Sequence, residues 1–199
     1  MENLKLSKNN KILIIAAHPD DEMLGCGGTI VKLKEKNDIS VIFLTNGVSS
    51  RTKNKKAINT RKNECFGLFK KLNLAKPKIL NFPDNQLDKV PLLKIIKKIE
   101  TVIKKLKPNI IFTHYENCLN IDHQITYRAT LTACRPLKTN PVKTILSFEI
   151  LSSTDWASFR TKNFQPNFYV NISNQIKDKL KFLKFYKSEI KKYPHSRSL

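Results

Sequence analysis

The stretch AAHPDDEMLGCGG, residues 16–28, places His18, Asp20, Asp21 and Glu22 directly after an apolar run. Collecting carboxylates and an imidazole beside a core is costly unless something cationic holds them together. His18 and Asp21 are three residues apart at a strand-to-helix turn, close enough to share one ion. A second polar cluster, THYENCLNIDH, ends at His123 and offers a third ligand. Two histidines and one carboxylate leave open positions on a metal, the arrangement of a catalytic rather than a structural site. Water on such an ion has its pKa lowered toward ~7, which makes it a nucleophile at neutral pH. Asp20, adjacent to a ligand but not needed as one, is suited to take that water's proton. The competing reading of the first cluster is helix capping by Asp20 or Asp21. The glycines of GCGG (25–28) do not make a dinucleotide fingerprint. They lack G-x-G-x-x-G spacing, and Asn46 rather than an acid stands at the end of the second strand.

These clusters need elements that bring them together. Apolar runs of strand length lie at 11–17, 39–46, 76–82, 109–114 and 143–150, and their lack of alternation suits strands buried on both faces. NFYVNI (167–172) reads as a late additional strand. Between the runs lie helical patterns. The clearest follows Pro91, where Leu92, Ile95, Ile96, Ile99, Val102, Ile103 and Leu106 recur at helical spacing before Pro108. Weaker helical patterns cover 22–36, 56–73, 123–138 and 174–191. Alternating strand and helix predicts an α/β fold: a Rossmann-like, doubly wound, mostly parallel sheet with helices on both faces. Ligands in such sheets bind beyond the carboxyl ends of the strands. Both clusters fall there, one after the first strand and one after the fourth.

Composition bounds the rest. The 199 residues are 40% hydrophobic, enough for one ordinary domain with a real core, and no repeat or Gly/Ser linker divides them. No apolar run reaches membrane-span length and the start lacks the apolar middle of a signal peptide, so a cytoplasmic location is expected. The four cysteines (Cys26, Cys65, Cys118, Cys134) form no CxxC pair and read as reduced thiols. The net charge of +21 comes from lysines spread through almost every segment rather than from one patch, so no nucleic-acid partner is expected. An anionic small substrate suits that charge, and a homo-oligomer is compatible with it.

The motifs resemble those of the LmbE-like, or PIG-L, family of metal-dependent de-N-acetylases. Its signature AHPDDExxxxGG is present from Ala17 to Gly28. The likeness continues through LTNG (44–47), the RxxE pair Arg61 and Glu64, FPDNQLD (82–88), the TH at the end of strand four, and DH at 122–123. It spans nearly the whole chain. The resemblance implies a Rossmann-like fold, zinc or another divalent metal such as Fe2+, and an N-acetylglucosamine conjugate as substrate. By motif position His18, Asp21 and His123 would be the ligands and Asp20 the general base. Many relatives carry HxDH where this chain reads NIDH, so Asn120 replaces a histidine that steadies the tetrahedral intermediate. Asn120 can donate a hydrogen bond to an oxyanion but cannot act as an acid, which leaves Asp20 or His114 for that role. The PHSRS end is followed by less chain than in relatives with a similar segment.

The expectation is a zinc-dependent deacetylase releasing acetate and a free amine from an amino sugar or its conjugate. Arg61, Asp84 and Trp156 are the candidate substrate contacts, each with a structural alternative: helix pairing or loop support, turn chemistry, and core or lid packing. His195 and Arg197 are further candidates for an anionic substrate group. A metal-containing sugar-binding or regulatory protein with little turnover is the alternative, motivated by Asn120. An iron oxygenase would use the same ligand logic but would not need the base.

Overall fold

The structure, a computed structural model, describes residues 6, 8–157 and 163–198. Its centre is a parallel sheet of β1 (Lys11–Ala16), β2 (Asp38–Thr45), β3 (Lys78–Phe82), β4 (Ile110–His114) and β5 (Thr144–Phe148), in the order β3-β2-β1-β4-β5. The helices are α1 (Asp21–Leu33), α2 (Lys55–Lys71), α3 (Leu92–Leu106), α4 (Ile121–Ala133) and α5 (Ile176–Leu183). Side chains alternate across β1. Ile12, Ile14 and Ala16 join the core layer under α1, α2 and α5, while Leu13 and Ile15 join the layer under α3 and α4. Burial on both faces explains why β1 reads as an uninterrupted apolar run.

The chain leaves β1 toward β2 and β3, then returns to the other side of β1 as β4 and β5. The crevice at such a reversal is where open α/β sheets bind ligands. Ile14 pairs with Phe112 on one side of β1, and Ala16 pairs with Phe43 on the other. The segments that follow β1, β2 and β4 therefore emerge side by side.

Two elements differ from expectation. Residues 167–172 form no strand; the segment lies across α1, where Lys32 Nζ donates to the Asn171 carbonyl at 2.6 Å and Ile172 packs on Gly28. Its β-branched composition is spent on packing against a helix instead of a sheet edge. The helix foreseen over 174–191 stops at Leu183, and the chain then turns so that Tyr186 and Glu189 point back into the protein. Elsewhere the shifts are local: α4 begins at Ile121 and ends at Ala133, ahead of Pro136. The glycines of GCGG have a packing role. A Cβ on Gly25 would fall 2.3 Å from the Phe148 ring and one on Gly28 2.4 Å from Ile172 Cδ1, so both positions let the helix backbone approach its neighbours closely. Among the described residues no helix is long and apolar enough to cross a membrane.

Candidate metal centre

His18, Asp21 and His123 converge, all buried, at the carboxyl ends of β1 and β4. His18 Nδ1 lies 3.1 Å from Asp21 Oδ2 and 3.2 Å from His123 Nε2, and His123 Nε2 lies 3.3 Å from Asp21 Oδ2. A tetrahedral ion with bonds of ~2.0–2.1 Å sets its ligand atoms about 3.3 Å apart. The three donors already form one face of such a tetrahedron, so the residues fit a zinc-sized ion. Their electrostatics agree. Burial disfavours charge on His18 and His123, yet the Asp21 carboxylate overcomes it and lifts them to about 10 and about 9. Asp21 itself is held well below the carboxylate range, because His123 and His18 outweigh its burial. The carboxylate thus demands positive charge from its neighbours.

The surrounding groups fix these rings. Asp21 Oδ2 accepts the His18 backbone N–H at 2.9 Å. Asp122 lies 3.2 Å from His18 Nε2 and accepts the backbone N–H groups of Asn85 at 2.7 Å and Leu87 at 3.0 Å. A carboxylate behind a metal-binding histidine sets its tautomer and raises its basicity. His18, Asp84 and Asp122 also cluster tightly enough for an ion. Their carboxylates are instead occupied by protein donors: Asp84 accepts from Thr45 Oγ1 at 3.1 Å, Ser50 N at 2.9 Å and Ser50 Oγ at 2.5 Å. Asp84 therefore ties the turn after β2, the turn chemistry expected as the alternative to a substrate contact, and is not among the residues lining the pocket. His123 Nδ1 faces the Cys118 thiol at 3.1 Å; burial opposes ionisation of that thiol, and the hydrogen bond from His123 more than offsets it.

Asp20 sits at the mouth of this cluster. It occupies the cap position of α1 but makes no side-chain cap bond, and its φ of 135° lies where non-glycine residues are strained. Glu22 holds the strained turn, accepting the Asp20 N–H at 3.0 Å through Oε2 and the Tyr186 hydroxyl at 2.7 Å through Oε1. Burial and the charge of Asp21 push the Asp20 carboxyl up to about 6, against the pull of Arg197 and Arg61. Arg197 Nη1 donates to Asp20 Oδ2 at 3.2 Å and to Glu189 Oε2 at 3.0 Å, while its Nε donates to Ser152 Oγ at 2.8 Å. The C-terminal segment is thereby folded onto Asp20.

Arg61 is buried and supports the loop: Nη1 donates to the Pro19 carbonyl at 3.0 Å, Nη2 to Ser188 Oγ at 2.7 Å and to Glu189 Oε1, and Nε faces Glu64 at 3.5 Å. It lines a small cavity of about 160 Å³ together with Asp20, Asn85, Asn120, Arg51 and the cluster. Asn120 caps α4, its Oδ1 accepting the Asp122 N–H at 2.8 Å while Nδ2 reaches Asn85 Oδ1 at 3.2 Å. His114 and Trp156 also stay out of the cavity. His114 is fully buried behind the cluster; its Nε2 accepts the Ala17 N–H at 2.9 Å and its ring stacks on His123 at 3.9 Å. Burial and the neighbouring His123 hold it well below the usual imidazole range, which favours the neutral ring. Trp156 is 71% exposed on the surface away from the cavity wall. Sequence reasoning gave no role to Asp122, Cys118, Arg51 or Glu189; Asp122 and Cys118, both inside the quoted THYENCLNIDH cluster, carried a local signal.

A model of the PIG-L family, described as GlcNAc-PI de-N-acetylase, matches residues 13–134, which contain His18, Asp21 and His123. The chain belongs to this family. It is 30% identical over 174 residues to the uncharacterized deacetylase YaiS of Escherichia coli, covering 83% of this chain and 88% of that one. It is 26% identical over 193 residues to the diacetylchitobiose deacetylase of Thermococcus kodakarensis, covering 90% and 70%. Among solved structures it resembles the conserved protein TT1542 from Thermus thermophilus, with a TM-score of 0.74 and 26% identity, covering 91% of this chain and 80% of that one.

Proposed function

We propose that this PIG-L family protein is a zinc-dependent hydrolase that removes acetate from an N-acetylglucosamine-type amino sugar or its conjugate, leaving a free amine. The observation that carries the reading is the triangle of His18 Nδ1, Asp21 Oδ2 and His123 Nε2, spaced at 3.1–3.3 Å beside the unligated Asp20. The relationship to a diacetylchitobiose deacetylase supports the substrate class. Zinc held by these three residues would supply Lewis acidity, polarising the acetyl carbonyl and lowering the pKa of water toward ~7.

The chain's own residues account for the proton transfers and positioning. Asp20 takes the proton of the attacking water on its carboxylate and delivers it to the leaving nitrogen, serving first as base and then as acid. Its strained backbone, braced by Glu22, keeps the carboxylate at the cavity mouth. Asn120 Nδ2 is the donor available to the oxygen that gains charge. The cavity of about 160 Å³ has room for the reacting acetamido end, with the remainder of the substrate outside. Arg51 lines the cavity with its side chain 53% exposed, and is the cation placed to meet an anionic group on the substrate.

The test is a panel of N-acetyl sugars and conjugates assayed for paired release of acetate and primary amine. Wild type should turn over members of the panel, and Asp20→Asn should abolish turnover while retaining bound zinc, because the amide can neither take nor give the proton. Binding of panel members with no acetate released by wild type would instead favour the sugar-binding alternative.

A further inference from the structure

His123 presents both ring nitrogens to partners, and only one of them can face an ion. Nε2 points at Asp21 and His18, while Nδ1 lies 3.1 Å from Cys118 Sγ. The sulfur is part of a longer chain of contacts. It lies 3.1 Å from Ser153 Oγ and receives the Thr154 hydroxyl at 3.5 Å. Ser153 Oγ donates to the Ile150 carbonyl at 3.5 Å, and Thr154 Oγ1 accepts the Ile150 N–H at 2.8 Å. The Cys118 backbone is pinned as well, its carbonyl accepting Gln124 Nε2 at 2.7 Å.

The hydrogens of this chain fill consistently in one direction. Ile150 N–H occupies Thr154 Oγ1, so the Thr154 proton goes to the sulfur. Ser153 Oγ, 3.1 Å from the sulfur, is placed to accept the S–H. With the S–H directed at Ser153 Oγ, the sulfur turns a lone pair to His123 Nδ1, an arrangement in which Nδ1 carries the hydrogen and Nε2 is bare. We propose that Cys118 is a positioning residue for His123, accepting its Nδ1–H and fixing the tautomer that leaves Nε2 free to bind the ion. This rests on the metal reading above. Metal-binding histidines usually give that hydrogen to a carboxylate, a backbone carbonyl or water. Here a buried thiol takes the place, and Asp122 serves the same purpose for His18. The other cysteines, Cys26, Cys65 and Cys134, belong to the apolar core.

A residue that merely fills space and one that accepts a hydrogen bond respond oppositely to two substitutions. Cys118→Val fills the space with apolar atoms and removes the acceptor; Cys118→Ser loses volume and keeps it. Zinc affinity, measured by competition with a chromophoric chelator, should fall ~10–100-fold in Cys118→Val and stay within a few-fold of wild type in Cys118→Ser. The melting temperatures of the chelator-treated variants should rank the other way, with valine at or above serine, which separates tautomer control from folding. Wild-type zinc affinity in Cys118→Val, or affinities that follow the melting temperatures, would overturn the proposal. A thiolate-to-metal charge-transfer band in the cobalt-substituted wild type would overturn it too, because the sulfur would then bind the ion itself. If wild type binds no zinc while properly folded, the metal reading fails and this inference with it.

Discussion

Replacing Glu189 by glutamine should unclamp the C-terminal segment from the candidate active site. Glu189 Oε1 receives Arg61 and, at 2.9 Å, Arg51, while Oε2 receives Arg197 at 3.0 Å. The Arg61 and Glu189 side chains are only 3% and 9% exposed, so their pair is buried. Removing one member of a buried pair costs ~3–5 kcal/mol, because the other charge is left uncompensated. Arg51 is 53% exposed, and its share is at most about 1 kcal/mol. A loss of ~3–5 kcal/mol in a chain of this size corresponds to a fall in Tm of roughly 6–20 °C. The pH dependence gives a second handle. Burial alone would raise the Glu189 carboxyl, but Arg61 and Arg51 hold it down at about 2, against an ordinary 4.5. A depressed folded-state pKa contributes stability that is complete above the unfolded value and lost as pH falls through the folded one. The Tm gap between wild type and Glu189→Gln, followed by thermal melts, should therefore be wide at pH 7 and narrow as pH drops from 4.5 toward 2. Equal melting temperatures at pH 7, or a gap of the same size at both ends of that window, would refute the reasoning.

Asn120→Ala removes both a hydrogen-bond donor at the cavity and the cap of α4. It should lower kcat by at most ~10²-fold and cost ~1 kcal/mol of stability, read by steady-state kinetics and a melt on the same preparation. Gly47 has a φ of 69°, and a Cβ there would lie 3.2 Å from His18 Cβ and 3.3 Å from Pro19 Cδ. Gly47→Ala should cost ~1–3 kcal/mol through backbone strain and weaken zinc binding by displacing His18; chelator competition checks the second part.

The site's centre was legible because its chemistry is local and its placement follows from topology. HPDDE sits at the end of β1, IDH sits just beyond β4, and a strand order that makes β1 and β4 neighbours brings them together. The helix α3 was legible through its apolar spacing and flanking prolines. What was not legible depends on contacts between distant parts of the chain. Nothing near Arg197 or Glu189 signals that they lie on Asp20 and Arg61, more than a hundred residues away. His114 and Asp84 have residue types suited to chemistry, and only packing shows His114 Nε2 and the Asp84 carboxylate engaged away from the cavity. The 167–172 segment has strand composition, but its neighbour is α1, and composition alone does not say which surface a β-branched run will meet.

The central claim is that His18, Asp21 and His123 hold the one ion on which deacetylation depends. The direct measurement is a zinc titration of chelator-treated protein that follows bound metal and acetate release together, for wild type and His123→Ala. The account predicts that wild-type activity climbs in step with bound zinc and levels off at one ion per chain, while His123→Ala binds zinc weakly and releases no acetate at that concentration. Acetate release at full rate by the chelator-treated wild type, or by His123→Ala without bound zinc, would contradict it.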